Sequence, residues 1–232
     1  MSKQVPKVEL KVAVSSADLR SLGVDLKSGL TRRIYFLDTA DLALQQHGLI
    51  VRLRSTRGRA GDAVVKLRPV LPKALPGWLR NDNGFDVEID ALPDNYACSG
   101  TLKRTLGRHE VERTAAARKP LSRLLSGRQR RLLTAYANVP LDSLITFGPV
   151  EVRRCRFEMA ASDHPLVAEQ WTFPDGSSIA ELSIRCPSSK ASAVAAETSS
   201  ALRAHGIVPD DEPQVTKTEA TLRYFRPQFA TP

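Results

Sequence analysis

The sequence has few cysteines, few aromatic residues and no long apolar run. Its three cysteines are scattered, and none has the spacing of a zinc site, so we expect reduced thiols rather than a disulfide framework. Aromatic residues make up only 6% of the 232 residues, which argues against a base-stacking surface, so we do not expect a nucleic-acid partner. No apolar stretch approaches the roughly 20 residues that cross a bilayer, and the first ten residues lack a signal-peptide core. We therefore expect a cytoplasmic protein without a membrane partner.

Positive charge, by contrast, is in excess. The chain has 34 Lys and Arg against 25 Asp and Glu, a formal net charge of +9. Such a balance favours an anionic partner, which could be nucleic acid, a phosphate compound or a membrane surface. The length suits one domain over residues 1–232. Residues at about 100–136 have helical spacing and many arginines, which predicts a mainly helical insertion with a solvated face.

Most of the remaining chain alternates polar and apolar residues, as strands do. About eight such strands, with helices between them, predict a mainly β, α+β protein: a closed eight-stranded antiparallel barrel with helices packed outside. The predicted strands cover residues 7–14, 33–37, 49–54, 63–68, 85–91, 150–160, 166–173 and 178–186.

The alternation places charged side chains together on one face of each strand, because successive side chains point to opposite faces. Arg52 and Arg54 are one example, and Glu9 and Lys11 another. Such a face could be exposed to solvent, as in many antiparallel sheets. It could also line the inside of the barrel, if the helices pack on the apolar face. Crowded like charges repel each other, which is a reason to expect a binding site, but the pattern leaves both interpretations open.

One segment resembles a known family. Tyr35-Phe36-Leu37-Asp38-Thr39 is followed by Asp41, Leu44, Gly48 and Val51-Arg52-Leu53-Arg54. This order is similar to the signature of the CYTH domains, or triphosphate tunnel metalloenzymes. The family includes thiamine triphosphatases, inorganic triphosphatases and class IV adenylyl cyclases. Further matches follow in the same order to Thr216-Lys217-Thr218-Glu219, so the resemblance spans nearly the whole chain.

The resemblance implies a barrel that binds a triphosphate or polyphosphate chain in a basic tunnel, with Mg²⁺ or Mn²⁺ on its acidic side. Arginine forks bind phosphate oxygens in pairs and lysines add point charges, whereas Mg²⁺ prefers carboxylate oxygens. By family position, the phosphate-binding residues would be Lys11, Arg52, Arg54, Lys66, Arg154, Arg156 and Lys217. Strand alternation adds Arg68 and Arg185. The metal-binding residues would be Glu9, Glu88 and Glu181.

The chain departs from the family pattern on the acidic side. Lys7 replaces the first glutamate of the family's ExExK motif, Ser183 replaces a glutamate, and Gln170 aligns with an aspartate. Each change removes a carboxylate, so we expect one metal ion rather than two. Three functions stay open: a metal-dependent hydrolase of inorganic or organic triphosphate, a non-catalytic binder of polyphosphate or nucleotide, and an adenylyl cyclase. The sequence slightly favours the hydrolase.

Overall fold

Nine strands and seven α-helices make up the parts of the chain that the computed structural model describes, residues 7–92, 95–159, 164–208 and 215–229. Short 3-10 turns connect several of them. The strands are β1 (Lys7–Val14), β2 (Leu30–Asp38), β3 (Leu49–Thr56), β4 (Arg59–Leu67), β5 (Phe85–Leu92), β6 (Asn95–Arg108), β7 (Ile145–Phe157), β8 (Leu166–Thr172) and β9 (Ser178–Pro187). The helices are α1 (Ser16–Ser21), α2 (Ala43–Gln46), α3 (Gly77–Arg80), α4 (Glu110–Ala116), α5 (Gly127–Tyr136), α6 (Ala191–Ala204) and α7 (Lys217–Phe225).

The strands form a closed sheet in the order β1-β5-β6-β4-β3-β2-β7-β8-β9, with the helices outside it. A closed, mainly β barrel is therefore confirmed. The sheet is mixed, however, because β1 runs parallel to β5, with Val8 opposite Ile89 and Leu10 opposite Ala91. The prediction of a purely antiparallel barrel was wrong because it assumed hairpin-like pairing. The residues between β1 and β5 supply the long connection that a parallel pair needs.

The predicted number of eight strands was also wrong, because β6 was interpreted as the beginning of the helical insertion. Leu102 and Leu106 are four residues apart, a spacing that fits one face of a helix and also one face of a strand. Both are buried, whereas Lys103 and Thr105, which alternate with them, are exposed. The helical part of this segment therefore begins at Glu110, after β6 has ended.

The chain divides into two compact units. Unit 1 comprises Met1–Thr31, Glu88–Ala97 and Val152–Val215. Unit 2 comprises Arg32–Val87, Cys98–Glu151 and Thr216–Pro232. One functional domain over residues 1–232 stays a prediction.

In unit 1 the apolar strand face packs against α6. Leu182 and Ile184 of β9 share a buried cluster with Val194, Ala201 and Leu202 of the helix. Burying each large aliphatic side chain contributes about 1.5–3 kcal/mol. The polar and charged side chains of these strands lie on the opposite face.

Unit 2 is built in the same way. Leu53 and Val65 pack with Leu132 and Leu133 of α5, all at most 1% exposed. Gln129 of α5 is also buried, and its Nε2 donates to the carbonyl oxygens of Ala63 (2.9 Å) and Leu102 (3.0 Å). These bonds tie the helix to two neighbouring strands, so the charged strand face of unit 2 again lies opposite the helices.

Candidate functional site

Arg185 joins two of the predicted metal-binding carboxylates in unit 1. β1 and β9 pair so that Glu9 lies directly opposite Arg185, whose Nε is 3.3 Å from Glu9 Oε1. Arg185 Nη2 is 3.4 Å from Glu88 Oε1 on β5. Lys11 Nζ is 3.2 Å from the other oxygen of Glu9. Two acidic and two basic side chains thus form one cluster, which we call the Arg185 cluster.

A second acidic pair lies on the same face of unit 1. Glu181 of β9 is directly opposite Glu169 of β8, a position in which Cβ atoms are about 4.5–5.5 Å apart and like charges repel. Arg154 Nε is 3.5 Å from Glu169 Oε1, and Trp171 Nε1 donates to Glu169 Oε2 over 3.3 Å. The pair therefore brings two carboxylates together, with one arginine beside them.

Glu169 was missed by the sequence reasoning, which aligned the family's aspartate with Gln170. Gln170 lies on the opposite face of β8, where its Nε2 donates to Ser16 Oγ over 2.8 Å. Both faces of β8 carry apolar side chains, such as Ala168 on one and Trp171 on the other, so alternation alone does not identify the charged face. The register with β9 identifies it.

In unit 2, β3 and β4 bring basic side chains onto one face around Asp62. Arg54 lies opposite Asp62 and its Nε donates to Asp62 Oδ2 over 3.0 Å; its Nη2 bonds the same oxygen. Lys103 Nζ is 3.6 Å from that oxygen. Asp62 is 4% exposed, and its Oδ1 has no hydrogen-bond partner among the described residues. The buried Asp62 carboxylate thus pairs with two cations through Oδ2, while its Oδ1 accepts no hydrogen bond from the described residues.

Arg52 lies on the same face in an apolar setting. The strand register places it opposite Phe36 of β2 and Val64 of β4, and Ile34 of β2 is opposite Arg54. These three apolar side chains are 2–7% exposed, so the face is less uniformly charged than the sequence predicted. Apolar neighbours lower the local dielectric and strengthen electrostatic contacts to a bound anion.

The remaining predicted phosphate-binding residues differ in how firmly the fold places them. Lys66 is half-buried on β4, opposite Thr101 of β6, whose buried Oγ1 also has no hydrogen-bond partner within the described part of the chain. Arg156 is exposed near the end of β7. Arg68 follows β4, so strand alternation does not assign it a face, and Lys217 begins α7. The register therefore groups Arg52, Arg54 and Lys66 and leaves the others as predictions.

The family-like segment around Asp38 has a structural role at the β2–β3 corner. The Asp38 carboxylate accepts hydrogen bonds from the backbone N–H groups of Thr39 (2.8 Å), Leu44 (2.8 Å) and Gln45 (3.0 Å), which cap α2. Burial raises the pKa of Asp38, although these bonds oppose the shift. Gly48 then turns the chain into β3 with φ +70°, and a Cβ there would lie 2.6 Å from the carbonyl oxygen of Arg68. The corner fixes the beginning of the strand that carries Arg52 and Arg54.

The carboxylates of unit 1 differ in their suitability for a divalent cation. The described residues contain no group of three or more His, Cys, Asp or Glu side chains arranged for a metal. Glu9 and Glu88 do not fit such an ion as they stand, because Arg185 contacts both. Glu169 and Glu181 lie opposite each other and supply the one or two carboxylates that Mg²⁺ takes together with phosphate oxygens and water, although Arg154 contacts Glu169. The metal itself stays a prediction.

Two other features lie away from the charged faces. A depression of about 660 Å³ in unit 2 is lined by residues of α2, α7 and their flanks, and none of the predicted site residues lines it. Burial raises the pKa of the Cys155 and Cys186 thiols, so neither has the character of a reactive nucleophile.

Among the helices that the structure describes, none combines the length and the apolar character that a membrane span requires.

No family model and no curated protein matches the sequence. Solved structures match over nearly the whole chain. A proposed adenylate cyclase from Bacillus halodurans is 16% identical with a TM-score of 0.63, covering 95% of this chain and 97% of that chain. A proposed adenylyl cyclase from Hippeastrum, reported to have a dominant triphosphatase activity, is 13% identical with a TM-score of 0.63, covering 97% of each chain. These identities show the fold alone, and at that level the resemblance to the CYTH family is confirmed.

Proposed function

We propose that this protein binds a triphosphate or polyphosphate chain through basic side chains of its strands and hydrolyses inorganic or organic triphosphate with one divalent cation. The observation that carries the proposal is the group of Arg52, Arg54 and Lys66, which the β3–β4 register brings onto one face beside buried apolar side chains. Three cations on one partly dehydrated face favour a polyanion over a neutral ligand.

Two unsatisfied atoms on this face also support an anionic or hydrated ligand. Asp62 Oδ1 and Thr101 Oγ1 are buried without a hydrogen-bond partner in the described chain. Each such atom costs about 1–3 kcal/mol, and buried polar atoms in proteins are normally satisfied by protein, water or ligand. The Thr101 hydroxyl can donate to a phosphate oxygen beside Lys66, whereas Asp62 accepts only and would need a bridging water.

For hydrolysis, the residues divide into two tasks. The arginines and lysines hold non-bridging phosphate oxygens and offset their charge, which is most of what phosphoryl transfer requires. Glu169 and Glu181 would hold the cation, and Arg154 beside Glu169 limits the repulsion between them. When bound, the cation supplies further charge neutralisation and Lewis-acid polarisation of phosphoryl oxygens.

The second candidate is a non-catalytic binder, and the Arg185 cluster favours it. There the protein's own cations compensate the carboxylates that the family resemblance assigns to a metal. The third function that the sequence left open, an adenylyl cyclase, is supported by the likeness in fold. No feature of the described site supports it. Cyclic AMP and pyrophosphate released from ATP would identify it.

The deciding experiment measures phosphate release from inorganic triphosphate, ATP and thiamine triphosphate with Mg²⁺, Mn²⁺ or EDTA. Glu169→Gln and Glu181→Gln should each lower metal-dependent release by roughly a hundredfold or more, since each removes one of two carboxylates. The matched control is Glu151→Gln, which alters an exposed glutamate of β7 paired with Arg33. It should leave release unchanged.

Each outcome selects a function. Metal-dependent release that only the two site variants lose supports the hydrolase. Binding of inorganic triphosphate without release from any substrate would replace the hydrolase by the binder. Failure of calorimetry to detect inorganic triphosphate binding, with or without metal, would refute both.

A further inference from the structure

The Arg185 guanidinium occupies a place that the family resemblance assigns to a metal ion. It contacts one oxygen of Glu9 at 3.3 Å and one of Glu88 at 3.4 Å, so it bridges carboxylates from two different strands. A guanidinium keeps its charge at all physiological pH values and has five N–H donors in a planar fork. Its side chain is 58% exposed, so part of that fork is accessible on the same face.

The charge balance of the Arg185 cluster shows what the arginine does. Glu9 and Glu88 contribute two negative charges, and Lys11 and Arg185 contribute two positive ones, so the charges of these four side chains balance without a metal. Without Arg185 the remaining three side chains would carry one net negative charge, and Glu9 and Glu88 would each lose the contact with the guanidinium. A divalent ion entering the present cluster would have to displace the guanidinium from both partners.

We propose that Arg185 is a built-in substitute for a divalent cation, so that the protein binds a phosphate chain on this side without a metal at Glu9 and Glu88. This inference rests on the proposed triphosphate binding. It adds that binding, unlike hydrolysis, does not require a metal. Arg185 would contact phosphate oxygens with the donors that the carboxylates leave accessible.

The first test removes the guanidinium and asks whether a metal takes its place. Arg185→Gln should gain one Mn²⁺ site relative to wild type, measured with Mn²⁺ alone by calorimetry and by the loss of the free-ion electron paramagnetic resonance signal. Arg153→Gln is the matched control, since Arg153 is an exposed arginine on the opposite face of β7. It makes the same charge change and should gain no site.

The second test measures inorganic triphosphate binding by calorimetry in EDTA and in Mn²⁺. Wild type should still bind inorganic triphosphate in EDTA, and a cation at Glu169 and Glu181 should add to that affinity in Mn²⁺. Arg185→Gln should bind roughly tenfold more weakly in EDTA, the scale of one lost charge-assisted contact, and Mn²⁺ should restore its affinity. Arg185→Lys keeps the charge but loses the fork, so it should bind in EDTA with intermediate affinity and gain no Mn²⁺ site.

Failure of this inference is distinguishable from failure of the proposed function. Wild-type binding that disappears in EDTA, or an Arg185→Gln variant with unchanged metal stoichiometry, would show that Arg185 does not replace a cation. If wild type binds no triphosphate under any condition, the proposed function is wrong, and the Mn²⁺ stoichiometry still decides the role of Arg185. Circular dichroism of each variant verifies folding, and Arg185→Lys decides the question if Arg185→Gln does not fold.

Discussion

We expect the Asp62 carboxylate to stabilise the folded protein and to weaken triphosphate binding. This buried carboxylate pairs with Arg54 and lies 3.6 Å from Lys103. Asp62→Asn keeps the shape and removes the charge. Hydrogen bonds to charged groups contribute about 1.5–3 kcal/mol, so we expect the variant to lose about 1–3 kcal/mol of unfolding free energy. Urea denaturation of the ligand-free protein measures this loss.

The same substitution should strengthen triphosphate binding. If Arg54 contacts a phosphate oxygen, the Asp62 carboxylate lies roughly 8 Å behind it, where a unit charge costs about 2 kcal/mol at an effective dielectric of about 20. Screening at physiological ionic strength reduces the effect to about 1 kcal/mol, or about a fivefold lower dissociation constant for the variant. Calorimetry with inorganic triphosphate measures it, and the gain should shrink at high salt.

A matched variant separates the local effect from net charge. Asp142→Asn makes the same change on an exposed residue and should alter neither stability nor affinity beyond error. An Asp62→Asn variant that is destabilised and binds triphosphate no better than wild type would show that Arg54 does not face the ligand. The phosphate-binding role of this strand face would then have to be abandoned.

Three further substitutions test the architecture around the site. Gly48→Ala should destabilise by at least about 1–2 kcal/mol, because Ala is strained at φ +70° and its Cβ would approach the Arg68 carbonyl at 2.6 Å; an unchanged urea midpoint would contradict this. Burial raises the pKa of Asp38, so the folded state keeps the carboxyl proton to a higher pH than the unfolded chain does. The contribution of this carboxyl to the unfolding free energy therefore falls as pH rises from the unfolded pKa through the folded pKa. The unfolding free energy of wild type minus that of Asp38→Asn should therefore decrease from pH 3 to 7, and a difference that increases would refute the direction. Arg104→Gln loses the 2.9 Å bond to the Leu124 carbonyl and should cost about 1–3 kcal/mol without changing triphosphate affinity.

Alternation predicted the strands whose two faces differ clearly in polarity. In β1, Val8 and Val12 are buried while Glu9 and Lys11 face the other side, and β3 separates Leu53 from its arginines in the same way. This information is local, because the side-chain direction of a strand depends only on residue parity. The sequence therefore sufficed to place the charged side chains of β1 and β3 on the face opposite the buried one, whereas their phosphate-binding role stays a prediction.

Register and strand order depend on partners that are distant in the chain, and there the sequence failed. Leu102 and Leu106 satisfied two periodicities at once, which concealed β6. Nothing near Val8 indicates that its neighbour is Ile89 and that the pairing is parallel. Glu169 could be recognised as a site residue only once Glu181 was seen opposite it.

Counting carboxylates along the sequence is a weak guide to the number of metal ions, because pairing decides which carboxylates are available. Three apparent losses from the family pattern suggested one ion, held by Glu9, Glu88 and Glu181. The structure adds Glu169 to the face and engages Glu9 and Glu88 with Arg185. The proposal of one cation therefore persists, but its two ligands lie on β8 and β9. The Arg185 guanidinium is part of the chain and therefore stays in place when the metal concentration falls. A protein of this design would hold its phosphate chain even when it cannot hydrolyse it.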